Sequence, residues 1–189
     1  MEYHFRYSLS IDEFASYNVY TVWHAPWQKK ARFNFLLRSL FSTSVILFAT
    51  FFLLDNTNYV QGSISSLSIG ICIIGLIILN CISYYHAPFG IMNKAKKLVL
   101  KDENAHILQE VELEINQDGV FSTDKESSVH QKWNSIVRYA VTNDFFYLYT
   151  NSIQAQIIPK RLFNSQKDIE EFDKFLTSKV PLSSSFRSL

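Results

Sequence analysis

The feature that most constrains this chain is a long stretch in its middle that is almost without charge. The 55 residues from Ser39 to Asn93 carry one charged side chain, Asp55, although the 189-residue chain holds 18 Lys+Arg and 17 Asp+Glu. The remainder of the chain is charged like an ordinary globular protein. This contrast excludes a purely soluble domain and a disordered chain.

The uncharged stretch contains two segments that are long enough to cross a membrane. Residues 36–54 and residues 64–85 are apolar apart from small polar side chains, one Asn and Arg38. A helix needs about 20 such residues to cross a hydrocarbon core of roughly 30 Å. A pair of buried core helices is the alternative, but the rest of the chain is small for covering two such helices on every side. We therefore predict a two-helix transmembrane hairpin over residues 36–90.

Basic residues flank the hairpin on one side only, and they predict its orientation. The connection at residues 55–63 contains no Lys or Arg. Cationic flanks stay in the cytoplasm and anchor at lipid headgroups. We expect a multi-pass protein of the cell (inner) membrane with both termini cytoplasmic. The predicted interface anchors are Lys29, Lys30, Arg32, Arg38, Lys94, Lys96 and Lys97.

Small and polar residues within the spans suggest how the two helices pack. Ser39 and Thr43 are four positions apart, as are Ser66 and Gly70, with Gly75 further along. Such spacing lets helix backbones approach closely, and it also offers a surface for self-association into a homo-oligomer. Asn80 is expected to seek an interhelical hydrogen-bond partner. Cys72 and Cys81 lie in the apolar span, where they are expected to be buried filler.

Residues 1–35 predict one strand and one helix on the cytoplasmic side. Apolar and polar residues alternate over residues 3–9, which is typical of a half-buried strand. Ser10 and Glu13 then have capping-box spacing, and the helix should run to about His24, where Pro26 interrupts it. A lone strand needs a partner, so we expect residues 3–9 to join the C-terminal sheet.

The C-terminal part predicts an antiparallel sheet closed by one helix. A basic helical stem at residues 91–101 precedes a domain at residues 102–180, and residues 181–189 form a flexible tail. Ser165 should cap an amphipathic helix over residues 166–178. Turn residues separate six strand-like runs, at residues 108–115, 119–123, 129–133, 136–142, 145–149 and 155–158.

Short motifs in this region carry a family resemblance. Gly119-Val120, Trp133 with Ile136, the run at residues 146–149, and the run Ile158-Pro159-Lys160-Arg161-Leu162-Phe163 before an amphipathic helix are similar to the C-terminal domain of the YcxB-like family. That resemblance implies a bacterial membrane protein with an N-terminal strand and helix, two spans and a small domain similar to bacterial pleckstrin-homology domains. The expected fold is thus an α+β membrane protein, in which a cytoplasmic pleckstrin-homology-like sheet is closed by a C-terminal helix. The resemblance implies architecture and no chemistry.

No catalytic motif is recognisable, so we expect no enzyme activity and no cofactor. The chain has no His-Glu-x-x-His, Gly-rich phosphate loop, Gly-x-Ser-x-Gly or Cys-x-x-Cys sequence. His24 and His86 sit in repeated His-Ala-Pro tripeptides, and their imidazoles, together with that of His4, are an alternative metal site. Ordinary helix-end chemistry is the preferred explanation of the two tripeptides, so no metal is predicted. The net charge of +1 argues against nucleic-acid binding.

Three functions stay open from the sequence. The first is a non-enzymatic membrane protein whose cytoplasmic domain binds a protein partner or the lipid surface. The second is an immunity or inhibitor protein against a membrane-acting toxin. The third is an accessory subunit of a transporter or enzyme complex. Lys160 and Arg161 are the candidate contact with a partner or with the lipid bilayer, and a solvated turn is the alternative for them.

Overall fold

The computed structural model describes residues 2–56, 66–180 and 185–187, and the chain divides into two compact units. The first unit combines Met1–Tyr17 with Ala95–Leu189, and the second is Asn18–Lys94. The predicted outer connection at residues 55–63 falls mostly outside the described residues.

The N-terminal elements form as the sequence predicts. Strand β1 (Tyr3–Tyr7) is followed by helix α1 (Ile11–Val19), which a π-helical turn extends through Tyr20–His24. The capping box is present, because the Ser10 amide donates to Glu13 Oε2 at 2.8 Å and the Glu13 amide donates to Ser10 Oγ at 3.1 Å. The helix ends at His24, and a 3₁₀ turn (Pro26–Gln28) begins with the predicted proline.

The first sheet of the first unit has the antiparallel order β1-β2-β3-β4. Its later strands are β2 (Val111–Ile115), β3 (Gly119–Thr123) and β4 (Ser128–Lys132). Tyr3 pairs with Ile115 and Tyr7 with Val111, which confirms that the N-terminal strand joins the C-terminal sheet. The pairing gives the backbone groups of β1 a ladder and directs Tyr7 into the core.

The second sheet has the order β7-β6-β5-β8. It contains β5 (Arg138–Val141), β6 (Phe145–Tyr149) and β7 (Ala155–Pro159), and every residue of β6 is buried. Strand β8 (Ser185–Arg187) pairs in parallel with β5. The rest of the predicted tail, at residues 181–184 and 188–189, lies outside the described residues.

Several predicted strand ends are wrong by a few residues. Residues 108–110 do not belong to a strand, because a 3₁₀ helix (Asp102–Leu108) precedes β2. Trp133 opens a second 3₁₀ turn (Trp133–Ser135) instead of ending β4. There its indole nitrogen donates to the Asn116 carbonyl at 3.0 Å. The alternation of apolar and polar residues along the chain does not predict this interaction.

Helix α4 (Gln166–Lys179) closes the core as predicted. Ser165 caps it by accepting a hydrogen bond from the Asp168 amide at 3.2 Å. Phe172 is fully buried and packs edge-on against Phe146, with ring centroids 5.0 Å apart. Tyr3 and Phe5 of the first sheet and Phe146 of the second sheet all pack against Phe172 of this helix. Buried aromatic pairs of this kind contribute strongly to the stability of a core.

The second unit contains two long apolar helices, α2 (Lys29–Asn56) and α3 (Ser66–Val99). Both are long and apolar enough to cross a membrane, over Pro26–Thr50 and Gly70–Val99. In the most apolar part of each helix, only 0% and 6% of the residues are buried by the rest of the chain. The predicted stem is continuous with the second span. Pro88 lies inside α3, so the second His-Ala-Pro tripeptide does not end a helix, unlike the first.

The interhelical contact predicted for Asn80 is present, and close packing at the glycines is not. Asn80 is buried, and its Nδ2 donates to Thr43 Oγ1 at 3.1 Å. A Cβ atom placed on Gly70 or Gly75 would meet no atom within 4 Å. Among the described residues, these glycines therefore mediate no close backbone approach.

Candidate functional site

The predicted contact residue Arg161 is held inside its own unit by an ion pair. It lies in a 3₁₀ turn (Lys160–Leu162) between β7 and α4. Its Nε donates to Glu13 Oε1 at 2.7 Å and its Nη2 to Glu13 Oε2 at 3.0 Å. The same Nη2 also donates to the Ser8 carbonyl at 3.0 Å. Two parallel bonds to one carboxylate form a geometrically specific contact.

The electrostatics of this pair follow from its hydrogen bonds. The guanidinium of Arg161 lowers the pKa of Glu13, and Glu13 in turn raises the pKa of Arg161. The Glu13 side chain is only 16% exposed, whereas that of Arg161 is 51% exposed. The charge of Arg161 is thus largely compensated before any partner or lipid arrives.

Lys160 also has a contact within its unit. Its ammonium nitrogen lies over the Phe146 ring, 5.1 Å from the centroid. Partial burial lowers the pKa of Lys160 from its ordinary value. A cation over an aromatic ring gains roughly 0.5–1 kcal/mol at a partly exposed site. Lys160 and Arg161 therefore both stabilise the turn that precedes α4.

Sequence reasoning selected this turn but missed Glu13 as the partner of Arg161. Glu13 was recognised for its capping role alone, and it performs both roles at once. The two residues are 148 positions apart, so no local spacing could relate them.

The predicted membrane anchors fall into two groups. Arg32 donates to the carbonyls of Trp23 and Ala25, and Lys96 forms an ion pair with Asp12 at 2.5 Å. The others form no ion pair within the part of the chain that the structure describes, and all are exposed. They are Lys29, Lys30, Arg38, Lys94 and Lys97.

The chain also carries groups of the metal-ligating and thiol types. Donor atoms of Glu2, His4 and Glu114 lie within 4.8 Å of one another on the surface, a grouping common without a metal. Burial, and then the nearby Arg32, lowers the pKa of His24. Cys72 is half-buried and Cys81 is exposed, so neither thiol is buried by other parts of the chain as the sequence analysis expects.

Strand β4 is an edge of the first sheet that sequence reasoning did not single out. Among the described residues it pairs only with β3. Val129 is 46% exposed, and His130 stacks on Phe121 with ring centroids 4.0 Å apart. An edge strand presents unpaired backbone donors and acceptors to another chain.

The fold is that of an α+β protein with two candidate membrane helices and two sheets, in which every strand pair except β5 with β8 is antiparallel among the described residues. Residues 115–176 match the family model described as YcxB-like protein, which confirms the resemblance drawn from the motifs of that region. No curated protein and no solved structure matches the chain.

Proposed function

We propose that the chain is a non-enzymatic integral membrane protein that presents a pleckstrin-homology-like domain in the cytoplasm for binding a protein partner. One observation carries the proposal: strands β1 and β2 pair side by side, although two long, exposed apolar helices lie between them in the chain.

The exposed apolar surface supports insertion into a bilayer. Phe41, Phe48 and Tyr85 are 73%, 74% and 80% exposed. Apolar surface left in water costs roughly 25 cal/mol per Å², and two helices of this length would leave many such side chains hydrated. A soluble core helix would have buried them.

The pairing of β1 with β2 supports an even number of crossings. Residues on both sides of the helix pair belong to one compact unit, so both ends of the pair lie on the same side of the membrane. The basic flanks favour the cytoplasm of the inner membrane for that side.

The architecture of the first unit supports the pleckstrin-homology-like assignment. Four consecutive antiparallel strands form one sheet, the next three antiparallel strands belong to the other, and one amphipathic helix follows. The matched family segment runs from β2 into α4. This is the architecture that the family resemblance implies.

The open side of β4 is the proposed protein contact. A partner strand could add to it through backbone hydrogen bonds. Arg161 and Lys160 suit this role less well, because their charges are engaged with Glu13 and Phe146.

Topology is tested with reporter fusions in the full-length protein. Reporters at Tyr3 and Leu189 should be active in the cytoplasm, and a reporter at Asn58 should be active outside it. The protein should also stay in the membrane pellet after alkaline carbonate extraction. A cytoplasmic Asn58 reporter, or release by carbonate, would contradict the proposal.

The contact surface is tested by photo-crosslinking in native membranes. A photoreactive residue at Val129 should give a discrete protein adduct, and one at Ile153, which is exposed on a loop of the same unit, should not. Adducts at both positions or at neither would contradict the β4 surface. Lys160→Glu and Arg161→Glu should leave the Val129 adduct in place.

A further inference from the structure

A basic cavity lies within the second unit, between the facing stripes of α2 and α3. Its volume is about 670 Å³. Positions 31, 34, 35 and 38 line it from α2, and positions 83, 86, 87, 90, 91 and 94 line it from α3. Both sets follow the 3.6-residue period, so each is one continuous helix face.

The polar part of the lining is entirely basic or neutral. Arg38, His86 and Lys94 contribute the basic groups, and Asn34 and Ser83 add neutral hydrogen-bonding groups. Among the residues that the structure describes, no Asp or Glu lines the cavity. The lining therefore offers several donors to an anion and no carboxylate to repel it.

These cations also lack a compensating anion in their own unit. Residues 18–94 contain one acid, Asp55, which lies 17 positions beyond Arg38 on the same helix. At 1.5 Å per residue that separation is about 25 Å, which exceeds the Debye length of roughly 8 Å at physiological salt. Neither Arg38 nor Lys94 forms an ion pair among the described residues. Within the second unit, the positive charge of the site is therefore uncompensated.

The remaining wall of the cavity is apolar and aromatic. Trp23 is buried and packs against Phe35 and Tyr84, with ring centroids 5.3 and 5.2 Å away. Ile91 and Ala87 extend this wall along α3. A free phosphate ion would engage only the cations, whereas an amphiphile would cover both parts of the lining.

We propose that this cavity binds an anionic phospholipid, with the phosphate at Arg38, His86 and Lys94 and the first part of the acyl chains against Trp23 and Phe35. The proposal rests on the membrane location proposed above, because the cavity would then open at the basic end of the helix pair, at the depth of lipid headgroups. Roughly 300–1,000 Å³ is usual for a small-molecule site. The cavity thus accommodates a headgroup while the chain ends remain in the bilayer.

The test measures lipids retained by the full-length protein in neutral detergent, using native mass spectrometry. Dioleoylphosphatidylglycerol should be retained in preference to dioleoylphosphatidylcholine. The double variant Arg38→Gln/Lys94→Gln should weaken that retention about tenfold or more, since each cation near an anionic lipid contributes a several-fold effect. Lys125→Gln/Lys174→Gln removes the same charge at exposed positions of the first unit, which belong neither to the cavity lining nor to the predicted membrane anchors, and should change retention less than about twofold.

A second pair of variants tests the cavity without changing charge. Gly90 lines the cavity and Gly75 does not, and a Cβ on either would meet no atom within 4 Å. Gly90→Leu should reduce phosphatidylglycerol retention by filling the cavity, whereas Gly75→Leu should not. Equal effects of the two substitutions would overturn the proposal.

Two further results would overturn the lipid site while leaving the membrane topology intact. One is equal retention of the two lipids by the wild-type protein. The other is displacement of phosphatidylglycerol by inorganic phosphate at equal concentration, which would indicate a phosphate site. Failure of the membrane proposal itself is separate, since it shows as a cytoplasmic Asn58 reporter or carbonate release.

Discussion

The guanidinium of Arg161 binds the carboxylate of Glu13 through two hydrogen bonds, of 2.7 and 3.0 Å, although the residues stand 148 positions apart. Glu13 also accepts the Ser10 amide in the capping box of α1. One carboxylate therefore joins the start of α1 to the turn between β7 and α4. The ion pair thus connects the N-terminal segment to the C-terminal part of the same unit, at the point where β7 ends and α4 follows.

Replacing Glu13 by Gln should destabilise the first unit in a pH-dependent way. The folded protein lowers the pKa of Glu13, chiefly through the hydrogen bond from Arg161, relative to an ordinary value of 4.5. The pair's contribution is thus present above pH 4.5 and lost as the pH falls through the lower folded value. At pH 7 we expect a loss of about 1 kcal/mol, because Arg161 is half exposed. Thermal melts of the detergent-solubilised protein from pH 7 to pH 3 measure it.

The control for that experiment is Glu171→Gln, which removes an exposed pair with Lys167 at 3.8 Å. Its melting temperature should stay near that of the wild type at every pH. If the Glu13→Gln difference persisted unchanged at pH 3, the ion pair would not be the source of the stabilisation.

Tyr7→Phe should cost stability because the hydroxyl links β1 to the second sheet. Tyr7 is 4% exposed, its hydroxyl donates to the Ile157 carbonyl, and it accepts from Gln156 Nε2 at 3.0 Å. Removing the hydroxyl leaves a buried carbonyl without its donor, at a cost of about 1–2 kcal/mol. Chemical denaturation followed by tryptophan fluorescence measures the difference. Tyr139→Phe offers a comparison, because its hydroxyl bonds the side-chain hydroxyl of Thr177 instead of a backbone carbonyl.

The same tyrosine predicts a loss of stability in alkali. Burial raises the pKa of Tyr7 to about 12 from an ordinary value of 10.0. The unfolded chain therefore loses the proton first, and the contribution present below pH 10 declines as the pH rises toward 12. The wild type should lose more stability than Tyr7→Phe between pH 10 and 11. Parallel curves for the two proteins would contradict the burial of this hydroxyl.

Elements with strong local signals were predictable from the sequence. The limits of β3 and β6 agree with the prediction, and the capping residues Ser10 and Ser165 make the expected hydrogen bonds. Alternation and cap chemistry act within a few residues, so one sequence displays them. Trp133 departed from its strand because its indole satisfies a carbonyl in another turn, a tertiary contact that local periodicity does not encode.

The candidate sites were less predictable, for a physical reason. The cations at positions 38 and 94 were identified as flanking charges, but their convergence on one cavity depends on how α2 and α3 face each other. Glycine spacing suggested close packing at Gly70 and Gly75, yet the contact that forms is the hydrogen bond of Asn80 with Thr43. Side-chain spacing on each helix defines a face, and only the packed pair shows which faces meet.

Asn80 and Thr43 should show a measurable coupling energy. Thr43 Oγ1 accepts from Asn80 Nδ2 and itself donates to the Ser39 carbonyl at 2.9 Å. In membrane proteins such interhelical bonds average about 0.6 kcal/mol. A double-mutant cycle with Thr43→Val and Asn80→Leu, read from unfolding in bicelles, should give a coupling of about that size. Additive effects would show that the two side chains do not interact.

Gly119→Ala should be the most destabilising of the small substitutions considered. Gly119 opens β3 opposite Lys132, and a Cβ atom there would lie 2.3 Å from the backbone oxygen of Gln131. That distance is far inside van der Waals contact, and the obstructing atom belongs to the β4 backbone, which cannot rotate away. Strands β3 and β4 would have to separate locally, at a cost of about 1–3 kcal/mol.

The matched control is Gly90→Ala in α3, where the added methyl would meet no atom within 4 Å. Alanine is favoured over glycine in a helix interior by roughly 1 kcal/mol, so this variant should keep or raise the melting temperature. Thermal unfolding of the two proteins side by side, with hydrogen exchange of the β3 and β4 amides, separates the effects. The Gly119→Ala protein should exchange those amides faster than wild type. If the Gly119→Ala protein had the same melting temperature as the Gly90→Ala protein and its β4 amides stayed protected, the close approach of Gly119 to Gln131 would be wrong. The position proposed for the β4 edge would then be wrong as well.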